Sequence, residues 1–512
     1  MERSELLFGA ATDPGQVSTA LEERYALRID APTLARWTCL DTADWRLHRT
    51  GMTLRDARQG RRGQLLLSWG ARESVTAPSP ARHWPRRVDT LPDSPVRRRI
   101  APAVGVRALL PLAEVDVRSL MLRVIDDEDK TRVRVRVDQQ RVAGVRRTVL
   151  PLRVVVTPLR GYERDGQRCA ELLGESIGAL AEADTSATVA FVAAGHMPGQ
   201  PAVPPPGLDP QAPAVKSLAL VLRRWIDVID SVRPGVLADI DIEYLHDMRT
   251  AVRATRSVLR LAEDLLSDSR AAQLAAEFSW LAELTTPLRD LDVSLLELDG
   301  RGDTDLRGID HLEPLRKHLA KQRRRALRTV RAGLESERGT RLSANWHAAV
   351  TALAAPTAVE SEGPSTRAVA GEQARVAYRR IVKAAAHVTA DTPPEELHGL
   401  RRRCKRMRYL LDSYASVYPA GPHREVLSAL KSLQDCLGAI QDVDVQRQQL
   451  SDLAATLTRA GTSAETVLAM GALRDRSLRR DAAARRVLAR RLERFCGPVT
   501  RDRVRELAAA GP

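Results

Sequence analysis

The chain has 512 residues, enough for two or three domains with real cores, and a formal net charge of +15. That excess points to an anionic partner, but aromatics make up only 4% of the chain, poor material for stacking on nucleic-acid bases. Lys occurs only seven times among the 80 basic residues, so arginine carries the charge. With abundant Ala, this resembles the codon bias of a GC-rich bacterial genome, and most scattered arginines read as solvated surface.

Five widely spaced cysteines, with no CxxC and no Cys/His metal spacing, read as reduced, mostly buried thiols. The N-terminus, MERSELLFGAATDPG, has no long apolar run, so no signal peptide is expected. No stretch approaches ~20 apolar residues, so no membrane partner is expected.

Residues 1–195 alternate apolar and polar positions in short runs. TRVRVRV at 131–137 puts Arg132, Arg134 and Arg136 on one strand face and Val133, Val135 and Val137 on the other. LRVVV at 152–156 and QLLLSW at 64–69 also read as strands. The Pro-rich stretch from Ala77 to Pro102 reads as a long loop, and ERDGQRCAELLGESIGALA, ending near 181, as a helix. This is an α+β domain. Residues 196–213 form a Pro-rich linker. Beyond it strand signals vanish, and 214–512 reads as all-α. A polar, Gly/Pro-containing break at about 355–372 separates one helical unit (about 214–354) from a second (about 373–500).

The two units are copies. LHDMRTAVRATRSVLR at 245–260 overlays LHGLRRRCKRMRYLLD at 397–412. His246 pairs with His398, Arg249 with Arg401, Arg253 with Lys405 and Arg256 with Arg408, each 152 residues apart (246 to 398). The same spacing overlays PLRDLDV at 287–293 on AIQDVDV at 439–445, pairing Asp290 with Asp442 and Asp292 with Asp444. A constant offset over separate motifs marks an internal repeat.

On a helical wheel, Arg249, Arg253, Arg256 and Arg260 fall on one side of His246, beside an apolar stripe of Leu245, Met248, Val252 and Leu259. His398, Arg401, Lys405 and Arg408 repeat the layout beside Leu397, Leu400, Cys404 and Leu411. Like charges at this spacing repel by a few tenths of a kcal/mol per pair, so an anion should compensate. It is either internal, from the paired aspartates, or a polyanion in a groove. The stripe from His246 to Arg260 spans about 21 Å at ~1.5 Å per residue, which suits a chain of phosphates. Arginine binds phosphate as a planar fork. A third basic element, KHLAKQRRRALRTVR at 317–331, turns Arg316 and Arg323 toward its apolar face and Lys321, Arg324, Arg325 and Arg328 outward. No Ser/His/Asp set, HExxH or P-loop is present. Asp at i, i+2 on a helix faces two directions, so RDLDV and QDVDV are poor metal ligands.

HDMRTAVRATR with LRDLDV, and HGLRRRCKRMRY with LKSLQDCLGAIQDVDV, resemble the CHAD domain, the conserved histidine α-helical domain. The resemblance covers about 214–500. It implies two four-helix bundles related by a pseudo-two-fold axis, with a basic groove that binds inorganic polyphosphate. CLDTADWRLHRTGMTLRDAR at 39–58, VGVRALLPLAEVDVRSLMLRVID at 104–126 and LRGYERDG at 159–166 resemble the CYTH domain, the triphosphate tunnel fold. This implies an antiparallel tunnel-like sheet in 1–195, in which Arg55, Arg58, Arg132, Arg134 and Arg136 would line an anion-binding tunnel. Active members open on a Glu-x-Glu-x-Lys strand that holds metal. ALEERYAL, with adjacent Glu22 and Glu23, takes that place here, and LLLSWGA lacks the lysine of a related strand. Mg²⁺ or Mn²⁺ would be cofactors only of an active tunnel domain.

The reading is therefore a cytoplasmic, bacterial polyphosphate-binding protein rather than an enzyme, with polyphosphate granules as a candidate location. Its binding residues would be His246, Arg249, Arg253, Arg256, Arg260, Arg316, Arg323, His398, Arg401, Arg402, Lys405 and Arg408. No catalytic or metal residues are assigned. The competing readings are a metal-dependent triphosphatase and a general nucleic-acid binder.

Overall fold

The computed structural model describes residues 4–60, 62–69, 73–79, 83–145, 148–180, 186–261, 268–300, 309–354, 363–389 and 392–509, without the side chains of 186, 261, 268–274 and 441–449. Met1–Ala202 and Val203–Pro512 are separate compact units. The first contains β1 (Ser4–Phe8), α1 (Pro14–Glu22), β2 (Ala26–Ile29), β3 (Thr33–Asp41), α2 (Arg46–Arg49), β4 (Met52–Gln59), β5 (Arg62–Trp69), β6 (Glu73–Pro78) and β7 (Arg86–Arg87). It continues with α3 (Pro95–Val104), β8 (Ala108–Ile125), β9 (Thr131–Val142), β10 (Leu152–Pro158), α4 (Glu163–Leu173) and α5 (Ser186–Ala193).

Strict alternation gives β9 one apolar face, and that face needs a cover. Val133, Val135 and Val137 are buried with Val154 and Val156 of β10 against Leu21 of α1 and Leu173 of α4. The strands form one antiparallel sheet in the order β1-β10-β9-β8-β3-β4-β5-β6, with β2 and β7 also paired to β8. The sheet curls into a half-barrel.

Three sequence expectations are corrected here. The glutamates of ALEERYAL are not on a strand: Glu22 ends α1, Glu23 caps it, and β1 is the opening strand. The Pro-rich stretch is not all loop. Ser94 accepts from the Arg97 N–H and Pro95 starts α3, which buries Val96, Ile100 and Val104. The helix read to 181 ends at Leu173. A π-turn over Gly174–Gly178 follows, and Gly178 closes it at φ +82°.

The second unit contains α6 (Ala214–Ala238), α7 (Ile242–Leu261), α8 (Asp268–Leu298), α9 (Glu313–Glu335) and α10 (Glu337–Ala354). Then come α11 (Thr366–Ala385), α12 (Pro394–Ser413), α13 (Ala420–Arg459), α14 (Ala464–Cys496) and α15 (Pro498–Ala508). The first two helices of each repeat start 152 residues apart (214 to 366, 242 to 394). Each repeat is a four-helix unit whose last helix is broken by one extended residue, Ser336 or Gly497. The break read as reaching 372 is helical from Thr366. The end of the Pro-rich linker is packed: Leu208 is buried and donates its N–H to Ser416 Oγ at 3.1 Å.

The pseudo-two-fold relation is visible in two hydrogen bonds. Ala214 N–H donates to Pro364 O at 3.0 Å, and Thr366 N–H donates to Ala212 O at 2.8 Å. These are the same bond with the repeats exchanged.

Helix-interior Gly→Ala normally gains about 1 kcal/mol. At Gly235 of α6 an added Cβ would lie 2.2 Å from the Tyr244 ring of α7. Gly235→Ala is therefore expected to destabilise by about 1–3 kcal/mol, read as a lowered thermal midpoint. A raised midpoint would show that Tyr244 yields freely.

Candidate anion-binding site

The predicted apolar stripe is the buried face of each motif helix. Leu245, Met248, Val252 and Leu259 are buried on α7, and Leu397, Leu400, Cys404 and Leu411 on α12. The cations beside it must find partners as they lose water. Arg249 donates from one Nη to Ala282 O (3.0 Å), Thr285 Oγ1 (3.0 Å) and Thr286 Oγ1 (2.9 Å), just before Pro287 in α8. Burial, then Arg253, pulls its pKa down to about 10, against the pull of Asp290. Arg401 lies over Gly438 of α13, where a Cβ would sit 3.4 Å from its Nη2. Thr286 and Gly438 are again 152 residues apart (286 to 438), so the equivalent arginines dock at equivalent places.

The two motif helices meet. Arg253 donates from Nε to Tyr409 Oη of α12 at 2.9 Å and from Nη2 to Thr250 Oγ1 at 3.1 Å. Arg408 donates to Gln434 Oε1 at 3.2 Å and faces Asp412 at 3.5 Å. His246, His398 and Lys405 are half-buried and engaged with other residues. Arg256 is half-buried, and Arg260 and Arg402 are exposed.

Arg316 and Arg323 both have acidic partners. Arg316 is exposed and paired with Asp299 at 2.7 Å. Arg323 donates to Asp292 Oδ1 at 2.6 Å and forks onto both carboxylate oxygens of Asp239 at 2.8 and 2.6 Å. Those bonds hold its pKa above the ordinary range. It is a structural ion pair, while Lys321, Arg324, Arg325 and Arg328 are exposed as expected. Asp292 is buried, and burial raises its pKa against the pull of Arg323 and Arg289. The Asp442 and Asp444 side chains lie outside the described residues.

Sequence reasoning named Arg260 and Arg402 but missed three arginines beside them, Arg380, Arg403 and Arg406. Arg406 of α12 is half-buried, and burial lowers its pKa. The next four influences on it are all arginines: Arg260 of α7, Arg402 and Arg403 of α12, and Arg380 of α11, each exposed. None of the five forms a hydrogen bond or ion pair with a described residue. The run RRRCKRMR held the signal, but the contribution of α11 could not be read from one helical wheel.

In the first unit, Glu5 of β1 is the carboxylate of the opening strand. Arg153 forks onto it at 2.7 Å and also reaches Asp138 at 2.7 Å. Arg58 pairs with Asp56, Arg136 with Asp138 and Arg132 with Asp126, while Arg134 is exposed. Arg55 is buried beside the Trp37 ring, and burial, then Arg153, lowers its pKa. Among the described residues no group of three or more His, Cys, Asp or Glu could hold a metal. The five cysteines are free thiols.

The fold and site define a two-repeat helical unit that gathers arginines where its motif helices meet. Residues 220–451 match the CHAD domain family, and the helical unit carries a CHAD domain. An uncharacterized protein of Mycobacterium tuberculosis is 28% identical over 320 residues, 58% of this chain and 57% of that protein. The chain thus spans little more than half the length of this curated relative. The crystal structure of the CHAD domain from the plant Ricinus communis is 26% identical, covering 57% of this chain and 95% of that one at a TM-score of 0.49. A putative adenylyl cyclase from Hippeastrum, described with a dominant triphosphatase activity, is 16% identical, covering 38% of this chain and 97% of that one at a TM-score of 0.26. Among the described residues no helix is long and apolar enough to cross a membrane.

Removing one partner of a buried ion pair strands the other charge. Arg323→Ala is expected to lower stability by about 3–5 kcal/mol in chemical denaturation. An unchanged midpoint would show that Asp239 and Asp292 do not depend on it.

Proposed function

We propose that the helical unit binds inorganic polyphosphate along the line where α7 and α12 meet. The observation that carries this is the cluster of Arg260, Arg380, Arg402, Arg403 and Arg406, five neighbouring guanidiniums without an ion pair or hydrogen bond to a described residue. Like charges gathered this way repel unless an anion joins them. A chain of phosphates offers one charge after another to planar forks from three helices. Arg256, one turn before Arg260, extends the line along α7, and the contact from Arg253 to Tyr409 joins the two repeats. Nucleic acid would supply the same charge, but its bases would find few aromatic side chains to stack on.

Long-chain polyphosphate should displace single-stranded RNA at equal phosphate concentration in a competition titration. Arg402→Ala with Arg406→Ala should weaken polyphosphate binding and flatten its log–log salt dependence by about 1.4, near 0.7 for each arginine removed, taking the single-strand value. Arg324→Ala with Arg325→Ala, on the outward face of α9, should change little. Tighter RNA binding, or equal effects of the two pairs, would refute the reading.

For the first unit we propose that it does not hydrolyse triphosphates with a metal. Two metal-activated oxygens need a carboxylate cage, and Glu5 is already held by Arg153. Phosphate release from triphosphate with Mg²⁺ or Mn²⁺ should stay at background. Turnover abolished by Glu5→Gln would overturn this.

A further inference from the structure

A groove of about 810 Å³ runs between α13 and α14 of the second repeat, and none of the candidate polyphosphate-binding residues lines it. Its wall is apolar: Leu427 and Ala439 from α13, Ala484 and Val487 from α14. The buried Cys436 thiol closes the inner side, donating to Ala484 O at 3.2 Å. Three cations stand around that wall, Arg424 and Lys431 on α13 and Arg491 on α14. None of the three makes a hydrogen bond or ion pair with a described residue. Arg491 stands close enough to Cys436 to act on the thiol. One carboxylate, Asp435, two hydroxyls, Ser428 and Ser432, and the His423 imidazole complete the polar lining.

This composition differs from that of the motif. An inorganic phosphate chain would satisfy the cations but leave the apolar wall wet and place Asp435 against its own charge. A purely apolar ligand would leave three charges without partners. The occupant should carry both parts, and the volume lies within the usual range of small-molecule sites, roughly 300–1,000 Å³. We propose that the groove is a second binding site, for a nucleoside di- or triphosphate. The phosphates meet Arg424, Lys431 and Arg491, the base lies against Leu427, Ala484 and Val487, and Asp435 accepts from a sugar hydroxyl or a base amino group. The proposal is independent of polyphosphate binding by the motif.

The test is calorimetric titration of the full chain with ATP, alone and after saturation with long-chain polyphosphate, beside titration with inorganic triphosphate. ATP should bind at a single site that polyphosphate leaves open, and more tightly than triphosphate does. Lys431→Ala with Arg491→Ala should weaken ATP roughly a hundredfold, about tenfold for each charge-assisted contact. Val487→Glu, at a 41%-exposed position that the fold does not need, should weaken it as well. Arg402→Ala with Arg406→Ala should leave ATP binding unchanged. Absence of ATP binding, full displacement by polyphosphate, equal affinity for triphosphate, or indifference to the groove variants would each overturn the proposal. Polyphosphate affinity, measured on the same variants, reports separately on the motif.

Discussion

A guanidinium that loses water must gain a partner, and the arrangement of the helical unit follows from how its arginines do so. The motif places cations beside the apolar stripe rather than opposite it, so packing the stripe drags them toward the interior. Each of several then fixes a neighbour. Arg249 seizes a carbonyl and two hydroxyls of α8. Arg323 ties α9 to Asp239, at the end of α6, and to Asp292 of α8. Arg253 finds a phenol across the repeat boundary. What remains after these pairings is a group of arginines that the protein does not neutralise with residues described here. Arginines with and without a partner among the described residues are thus neighbours in one motif, separated by whether an internal acceptor is within reach.

Much of this was legible in the sequence. The strict alternation at 131–137 placed the valines on the covered face of β9. The 152-residue offset placed the motif helices in register, because a repeat constrains position without knowledge of packing. The apolar stripes were legible because helical period alone decides them. Failures came where one residue outweighed its neighbourhood. Prolines between Ala77 and Pro102 suggested a loop, but Pro95 follows a serine cap and opens a helix. Glu22 and Glu23 drew attention as a damaged metal strand, whereas the opening strand lies earlier and holds Glu5. Arg323 was placed correctly on its helix face, but its partner Asp239 sits at a helix end in another part of the sequence. Arg406 escaped notice because its neighbours come from α7 and α11 as well as from its own helix.

The repeats keep their geometry while exchanging their chemistry. Where α8 offers Thr286 to Arg249, α13 offers Gly438 to Arg401, and the guanidinium lies on bare backbone. Tyr409, which receives Arg253, corresponds to Ser257, whose hydroxyl turns back to the Arg253 carbonyl at 2.8 Å. The pseudo-symmetric partner of a contact is therefore a position, not an interaction, and the two halves are not interchangeable.

The paired bonds between Ala212–Ala214 and Pro364–Thr366 also bear on the order of folding. They join the beginnings of the two repeats, so closing them in an unfolded chain would restrict a loop as long as a whole repeat. The length-dependent part of that entropy is about 4 kcal/mol, more than the roughly 1–3 kcal/mol that two backbone bonds return. Folding of α6 to α10 removes most of that freedom beforehand, since helices that pack with their neighbours in sequence close only short loops. The junction between the repeats is thus a late, dependent contact, formed by halves that already hold their own shape.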